Sequence, residues 1–136
     1  MGISFYRNTD ICILVFDLTS EDSFKGVEAW RNDFLQIFNP PDRDEFPFVL
    51  IGNKSDMEAD IKVTKEQIDA YCQEHNNMPY FPTSAKEGKN LEEAFNKAAD
   101  VAFIRYMKNE PDIILPESQN LKIGRKEEPK KKKCCK

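Results

Sequence analysis

The 136-residue chain lacks features that define several classes of protein. No apolar run approaches the ~20 residues that span a bilayer. The N-terminus has no basic start followed by an apolar stretch, so neither a membrane-spanning helix nor a secretory signal is expected. The single histidine and the four cysteines show no spacing typical of a zinc site. We predict no metal ligands, and we interpret His75, which has no catalytic partner in the sequence, as a helix-surface or packing residue.

Charge is unevenly distributed along the chain. The formal net charge is −4, but residues 122–136 carry eight Lys or Arg and two Glu, which gives this segment +6. The remaining residues carry 12 basic and 22 acidic side chains, which gives −10. An acidic body with a basic tail argues against nucleic acid as a partner and favours a tail that meets an anionic membrane surface.

Three apolar runs indicate β-strands. The first, ICILVFDL at residues 11–18, is nearly continuous, as expected of a strand that is buried on both faces of a parallel sheet. Two further runs, FPFVLIGN at 46–53 and the shorter PYFPTSAK at 79–86, predict the second and third strands. Cys12, in the first run, and Cys72, in a predicted helix, are interpreted as small buried hydrophobes.

Each predicted strand is followed by a helical pattern with its own start signal. Thr19 or Ser20 can cap the first helix, Thr64 begins a capping box for the second, and Glu93 is placed to complete a box with Asn90 for the third. The side chains expected to face the core are Phe24, Val27, Trp30, Phe34 and Phe38, then Ile68, Tyr71, Cys72 and His75, then Leu91, Ala94, Phe95, Ala98 and Val101.

This β-α-β-α-β-α order predicts an α/β fold with an open parallel sheet. Ligands of such sheets bind at the carboxyl ends of the strands. After Pro111 the chain is rich in Pro, Glu and Lys and shows no helical stripe, which predicts a flexible tail. We therefore expect a domain over residues 1–110 and a tail over residues 111–136.

Two polar motifs fall at the predicted carboxyl ends of neighbouring strands. Asn53-Lys54-Ser55-Asp56 follows the second strand, and the third ends in Thr-Ser-Ala-Lys at 83–86. The Asp56 carboxylate can accept from the ring N–H and the exocyclic amine of guanine, whereas adenine has no such donor pair. A loop of this type is often only a solvated turn, but the two motifs together, about 30 residues apart, predict a guanine site.

The other residues of the two motifs have supporting roles in this interpretation. Asn53 can bond the base edge or connect neighbouring loops, and the aliphatic stem of Lys54 can lie along a flat base. The Ala85 N–H can donate to the guanine carbonyl oxygen, Ser84 can brace the loop, and Lys86 can cover the other side of the base or sugar. Asp17 also ends a strand, and we interpret it as loop or cap support.

Three segments of the chain are FYRNTDICILVFDLTSEDSF, FPFVLIGNKSDME and PYFPTSAKEGKNLEEAF. They closely resemble the Ras-like small GTPases and, among them, the Rab family and its late-endosomal and lysosomal subfamily. The resemblance implies a P-loop NTPase-like fold, of which this chain would carry the C-terminal portion of three strands and three helices. It also implies GTP or GDP binding with Mg²⁺, and a switch in vesicle traffic at the cytoplasmic face of late endosomes and lysosomes, with a cytosolic pool. The implied guanine-site residues are Asn53, Lys54, Asp56, Ser84, Ala85 and Lys86.

The phosphate-binding motifs of that family do not occur in the 136 residues. There is no G-x-x-x-x-G-K-[ST] loop and no D-x-x-G-Q segment, and residues 1–7 resemble the middle of the family's second switch helix. We therefore expect weak GTP or GDP binding, no Mg²⁺ ligands, no hydrolysis and few effector contacts. We also expect Ile11, Ile13 and Val15 to lie on an unpaired apolar edge.

The chain ends in KKKKCCK, which we interpret as a membrane-anchoring segment. The resemblance implies geranylgeranylation of Cys134 and Cys135 by the Rab transferase acting with its escort protein, and Leu121 and Ile123 resemble the apolar pair that the escort binds. Two lipid chains with a basic segment form a stable anchor. The alternatives are a solvated basic tail with two unmodified thiols and a nuclear-import segment.

Three functional interpretations remain open. The first is a Rab-type GTPase, or its C-terminal portion, that acts as a membrane-anchored switch. The second is a prenylated interaction protein without enzymatic activity. The third is a truncated product that does not fold.

Overall fold

The computed structural model describes residues 9–109. Within them the elements are β1 (Cys12–Asp17), α1 (Glu21–Phe38), β2 (Phe48–Asn53), a 3₁₀ turn (Glu58–Asp60), α2 (Lys65–Glu74), β3 (Tyr80–Pro82) and α3 (Leu91–Asn109). No helix in this part of the chain is long and apolar enough to cross a membrane. The predicted tail, with Leu121, Ile123, Cys134 and Cys135, lies outside the described residues.

The three strands form one parallel sheet in the order β1-β2-β3. Cys12 is opposite Phe48 and Asp17 is opposite Asn53 across β1 and β2, and Leu50 is opposite Tyr80 across β2 and β3. The predicted α/β class and parallel sheet are confirmed. This register brings the carboxyl ends of all three strands to one edge, where both polar motifs begin.

The larger core lies between the sheet and the helices α1 and α2. It includes Leu14 and Phe16 of β1, Val27 and Phe34 of α1 and Ile68 of α2, all at most 6% exposed. A smaller cluster on the opposite face packs Ala94 and Ala98 of α3 against Val49 and Ile51 of β2. Because α1 and α2 lie on one face and α3 on the other, β2 is covered on both sides.

The first strand is not buried on both faces in the described part of the chain, contrary to the prediction. Leu14 and Phe16 are buried, but Val15 is 60% exposed. The reason is that β1 is an edge strand of this sheet. The expectation that Val15 lies on an apolar edge therefore agrees with the structure, whereas Ile11 and Ile13 are partly buried against the cluster below α3.

Helix α1 begins at the predicted cap but uses its apolar face differently. Ser20 is the N-cap, and its side chain accepts from the Ser23 N–H at 3.3 Å. Val27, Phe34 and Leu35 are the buried residues of this helix, whereas Trp30, which was expected in the core, is 69% exposed. Trp30 lies beside the open edge of β1, where it lines a shallow cleft with Val15.

Helix α2 agrees with its sequence pattern. The capping box is present: the Thr64 side chain accepts from the Gln67 N–H, and the Gln67 side chain accepts from the Thr64 N–H. Ile68 and Cys72 are buried. His75 packs against the Tyr71 ring, and its Nε2 lies 3.2 Å from Glu28 of α1, which agrees with a packing role.

Helix α3 differs from its prediction at two positions. Asn90 has a φ of +57° and its side chain donates to the Pro82 carbonyl at 2.8 Å, so it serves the preceding loop rather than a box with Glu93. Phe95, which was placed on the inner stripe, is 56% exposed. Ala94 and Ala98 belong to the same predicted stripe and are buried against β2, and their small side chains allow the helix to approach the sheet closely.

Arg105, near the end of α3, contacts the segments that precede β1 and β2. Its guanidinium forms two hydrogen bonds with the Asp42 carboxylate, at 2.9 and 3.0 Å, and contacts Asp10 at 3.3 Å. It also lies over the Phe46 ring, 4.7 Å from the centroid. The side chain is only 11% exposed, so this bidentate pair is one of the better-shielded charge pairs of the domain.

Candidate functional site

The candidate site is formed by the two loops that leave β2 and β3. The backbone joins these loops directly: the Thr83 N–H donates to the Gly52 carbonyl at 2.8 Å, and the Ser55 N–H donates to the Thr83 carbonyl at 2.9 Å. Because these bonds continue the ladder of the parallel strands, the two motifs leave the sheet side by side. The predicted convergence of NKSD and TSAK at one edge is what the structure shows.

The NKSD loop turns sharply at Lys54. Its φ of +67° is in the left-handed region, and the Met57 N–H closes a turn on the Lys54 carbonyl at 3.0 Å. A non-glycine residue in this region is uncommon and is maintained by the surrounding contacts. Beyond this turn, Asp56 is partly exposed at the end of the loop.

The TSAK loop is a compact turn closed by backbone pairing. Ser84 and Lys89 exchange two backbone hydrogen bonds of 3.1 Å, and Gly88 supplies a φ of +72° within the turn. The fully buried Ser84 side chain accepts from the Glu87 N–H at 3.1 Å. This geometry fixes the backbone around Ala85 and Lys86 and leaves both residues exposed.

Two side-chain contacts connect the motifs. The Ser84 hydroxyl donates to Asp56 Oδ1 at 2.7 Å, and the Ala85 N–H donates to Asn53 Oδ1 at 3.0 Å. Four of the six predicted guanine-site residues are therefore in direct contact across the two loops. Ser84 and Asn53 therefore each connect the two loops through a side-chain contact.

The Asp56 carboxylate is held in its charged form. The hydrogen bond from Ser84 holds the pKa of Asp56 below its usual range against the opposing effect of burial, and a backbone hydrogen bond and the charges of Lys86 and Lys54 lower it further. A carboxylate has about four lone-pair positions. Ser84 occupies one of them, so Asp56 can still accept two hydrogen bonds from a ligand at neutral pH.

Lys54 extends toward β1 and pairs with Asp17. Its Nζ lies 2.6 Å from Asp17 Oδ2, while Asp17 Oδ1 accepts from the N–H and the hydroxyl of Thr19 at 2.8 and 2.7 Å. Burial by itself raises the pKa of Asp17, but the hydrogen bonds from Lys54 and Thr19 outweigh it and hold the pKa below its usual value. The contact between Asp17 and Lys54 was not anticipated from the sequence. Only the register of β1 and β2, which places Asp17 opposite Asn53, could have indicated it.

Ser55 is a buried polar residue of the NKSD loop. It is 8% exposed, and its hydroxyl has no hydrogen-bond partner among residues 9–109. Its backbone, rather than its side chain, joins the two loops.

The chemistry that this arrangement offers is suited to ligand recognition. It combines one charged acceptor, Asp56, with exposed backbone and two lysines, Lys54 and Lys86, that can flank a planar ring. The Ala85 N–H is used by Asn53 in this structure. A ligand carbonyl would therefore share this donor or replace the Asn53 oxygen.

Comparison with known proteins agrees with this architecture. The Ras family model matches residues 1–103. Among curated relatives, Ras-related protein Rab-7a of Dictyostelium discoideum is 38% identical over 135 residues, which cover 99% of this chain and 64% of that protein. Ras-related protein Rab7 of Drosophila melanogaster is 41% identical over 129 residues (91% and 62%), and Rab7 of Pisum sativum is 40% identical over 136 residues (98% and 64%).

The chain spans slightly less than two thirds of the length of these relatives. The family match nevertheless covers most of the described domain and includes both loops of the candidate site. The chain therefore belongs to the Ras family, and within that family it resembles the Rab7-type small GTPases.

Proposed function

We propose that this chain recognises guanine nucleotides as part of a Rab7-type switch in endosomal traffic. The observation that supports the proposal most strongly is the pair of contacts between the loops, from Ser84 to Asp56 and from Ala85 to Asn53. They place a charged double acceptor and a backbone donor at one rim of the sheet. Guanine presents the complementary edge, with two N–H donors beside a carbonyl acceptor.

Discrimination against adenine follows from this pattern. Adenine has no ring N–H beside its exocyclic amine on the corresponding edge, so Asp56 would face a lone pair. A hydrogen bond to a charged group contributes roughly 1.5–3 kcal/mol. Sites built on such bonds reject ligands that cannot form them, because the polar groups of the site remain unpaired.

The proposal includes no Mg²⁺ ligand among the described residues. Within residues 9–109 there is no group of three or more His, Cys, Asp or Glu side chains that could hold a metal ion. We assign no catalytic step and no metal to these residues in this proposal. Hydrolysis of GTP is not part of the proposal for this chain, and we propose that the 136 residues bind GTP or GDP weakly.

The setting of the function is proposed from the relatives and the tail. Several relatives are Rab7 proteins, and the tail carries eight basic residues over 122–136 with Cys134 and Cys135 near its end. We propose prenylation of the two cysteines, recognition of Leu121 and Ile123 by the escort protein, and residence on late-endosomal and lysosomal membranes. Geranylgeranyl transferase and the membrane would then be partners, and nucleic acid would not.

The second candidate function is a prenylated interaction protein that binds no nucleotide. The acidic body joined to a basic tail with adjacent cysteines favours it, because these features would attach the chain to a membrane whether or not the base site binds a nucleotide. Nucleotide titration of the purified chain distinguishes the two functions.

The direct test is an NMR titration of ¹⁵N-labelled protein with GDP and, separately, with ADP. We expect GDP to shift the amide signals of residues 53–57 and 84–88 in a saturable manner, and ADP to shift them at least ten times less efficiently. Asp22→Asn, which removes a carboxylate that is 96% exposed on α1, is the control and should bind GDP like the wild type. Equal responses to GDP and ADP, or no response of these amides, would refute the proposal.

A further inference from the structure

The contact between Asp17 and Lys54 has a geometry that favours a role in the base site. The parallel register places Asp17 directly opposite Asn53, so the last residue of β1 is next to the start of the NKSD loop. Lys54 turns at a φ of +67° and brings its Nζ to 2.6 Å from Asp17 Oδ2. Its aliphatic stem therefore runs across the carboxyl ends of β1 and β2, beside the loop that carries Asp56.

Asp17 is itself fixed on three sides. Its Oδ1 accepts two hydrogen bonds from Thr19, its N–H donates to the Ser23 hydroxyl at 3.0 Å, and its carbonyl accepts from the Ser20 N–H at 3.0 Å. Ser20 and Ser23 belong to the start of α1, so the carboxylate is attached to a helix as well as to the sheet. A lysine side chain otherwise samples many rotamers, whereas this one ends on a rigid acceptor.

The ion pair is only partly shielded, which limits what it can contribute to folding. The Lys54 side chain is 49% exposed and the Asp17 side chain 24% exposed. Pairs of this kind add little to stability. The ion pair therefore matters more for the position of the Lys54 stem than for the stability of the fold.

We propose that Asp17 is a positioning residue of the guanine site, which fixes Lys54 so that its aliphatic stem forms one wall of the slot for the base. This inference rests on the proposed function. Asp17 does not touch the base; it acts through Lys54. Fixing the lysine before binding reduces the ordering that the ligand must impose, which is the general benefit of a preorganised site.

The test is a double-mutant cycle that uses GDP affinity as the readout. Asp17→Asn keeps the shape of the side chain and the Oδ1 acceptor for Thr19 but removes the charge that holds Lys54. We expect Asp17→Asn to weaken GDP binding about 3- to 10-fold, and Lys54→Met to weaken it by at least as much. In the Lys54→Met background, Asp17→Asn should cause no further loss. Asp22→Asn again controls for the change in net charge.

Each outcome has a distinct meaning. If the wild-type chain does not bind GDP, the proposed function fails and this inference fails with it. If the wild type binds but Asp17→Asn binds equally well, only the inference is refuted. If Asp17→Asn loses as much affinity in the Lys54→Met background as in the wild type, Asp17 acts through the fold and not through Lys54, which also refutes it. Thermal unfolding of each variant, with melting temperatures close to that of the wild type, shows that the comparison is between folded proteins.

Discussion

The hydroxyl of Ser84 donates to Oδ1 of Asp56 at 2.7 Å and thereby joins the two loops of the candidate guanine site. Ser84 is fully buried, whereas Asp56 is partly exposed. The buried hydroxyl at the end of β3 therefore fixes the carboxylate of Asp56 at the end of β2. The orientation of Asp56 toward a ligand depends on this contact.

Ser84→Ala should raise the pKa of Asp56 toward its usual value, because the hydrogen bond from Ser84 is the main cause of its lowered pKa. A carboxylate with a lowered pKa in the folded state contributes stability above its unfolded pKa and loses that contribution as the pH falls through the folded pKa. The variant should therefore show a smaller loss of stability in acid from this group. A ¹³C NMR titration of the Asp56 carboxyl carbon measures the pKa directly, and an unchanged value would contradict the assigned cause.

Ser55→Ala should leave the free energy of unfolding unchanged or increase it by about 1 kcal/mol, because a buried unpaired hydroxyl costs about 1–3 kcal/mol. The Ser55 hydroxyl has no partner within residues 9–109. Chemical denaturation of the variant and the wild type measures the difference. A loss of more than 1 kcal/mol would show that the hydroxyl has a partner that the described residues do not include.

Arg105→Met should destabilise the domain by about 1.5–3 kcal/mol, the range for losing hydrogen bonds to charged groups. Asp42 would lose the hydrogen bonds from Arg105 that hold its pKa below the usual value. The pH dependence should change with it: this stabilisation exists above the unfolded pKa of the carboxyl and disappears in acid, so the variant and the wild type should converge as the pH falls. Arg43→Met is the control. Arg43 is exposed in the loop that carries Asp42, and its replacement should lower the free energy of unfolding by less than about 0.5 kcal/mol.

Val15→Lys should reduce self-association without reducing stability. Val15 is 60% exposed on the edge strand β1, and lysine on such a strand is a common protection against edge-to-edge pairing. Light scattering at increasing protein concentration measures the effect. Val15→Ile keeps the edge apolar and should associate like the wild type; equal behaviour of the lysine and isoleucine variants would show that this edge does not drive association.

The sequence predicted the order of elements and the parallel sheet because the apolar runs, caps and turns are local signals. Ser20 caps α1 and Thr64 forms its box as expected, since each bond lies within one turn of a helix. The same reasoning failed at Trp30 and Phe95. Periodicity indicates that a side chain lies on an apolar face of a helix, but not whether another element covers that face.

The candidate site was also predicted only in part. The two motifs and their meeting at one edge follow from the parallel topology, which the sequence predicts. The contact between Asp17 and Lys54 depends on the strand register and on the left-handed turn at Lys54. The strand register has no clear signal in the sequence. The left-handed turn has none either, because a lysine rather than a glycine occupies it. The guanine contacts themselves remain a prediction.

The most direct test of the central claim is the affinity of the wild type and Asp56→Asn for GDP and for xanthosine diphosphate. Xanthine has a carbonyl where guanine has the exocyclic amine, so the asparagine amide can donate where the Asp56 carboxylate would repel. We expect Asp56→Asn to weaken GDP binding by about 10- to 100-fold, from the loss of charged hydrogen bonds, and to bind the xanthine nucleotide more tightly than the wild type does. A variant that changes its affinity for both nucleotides by the same factor, or for neither, would contradict recognition of guanine by Asp56.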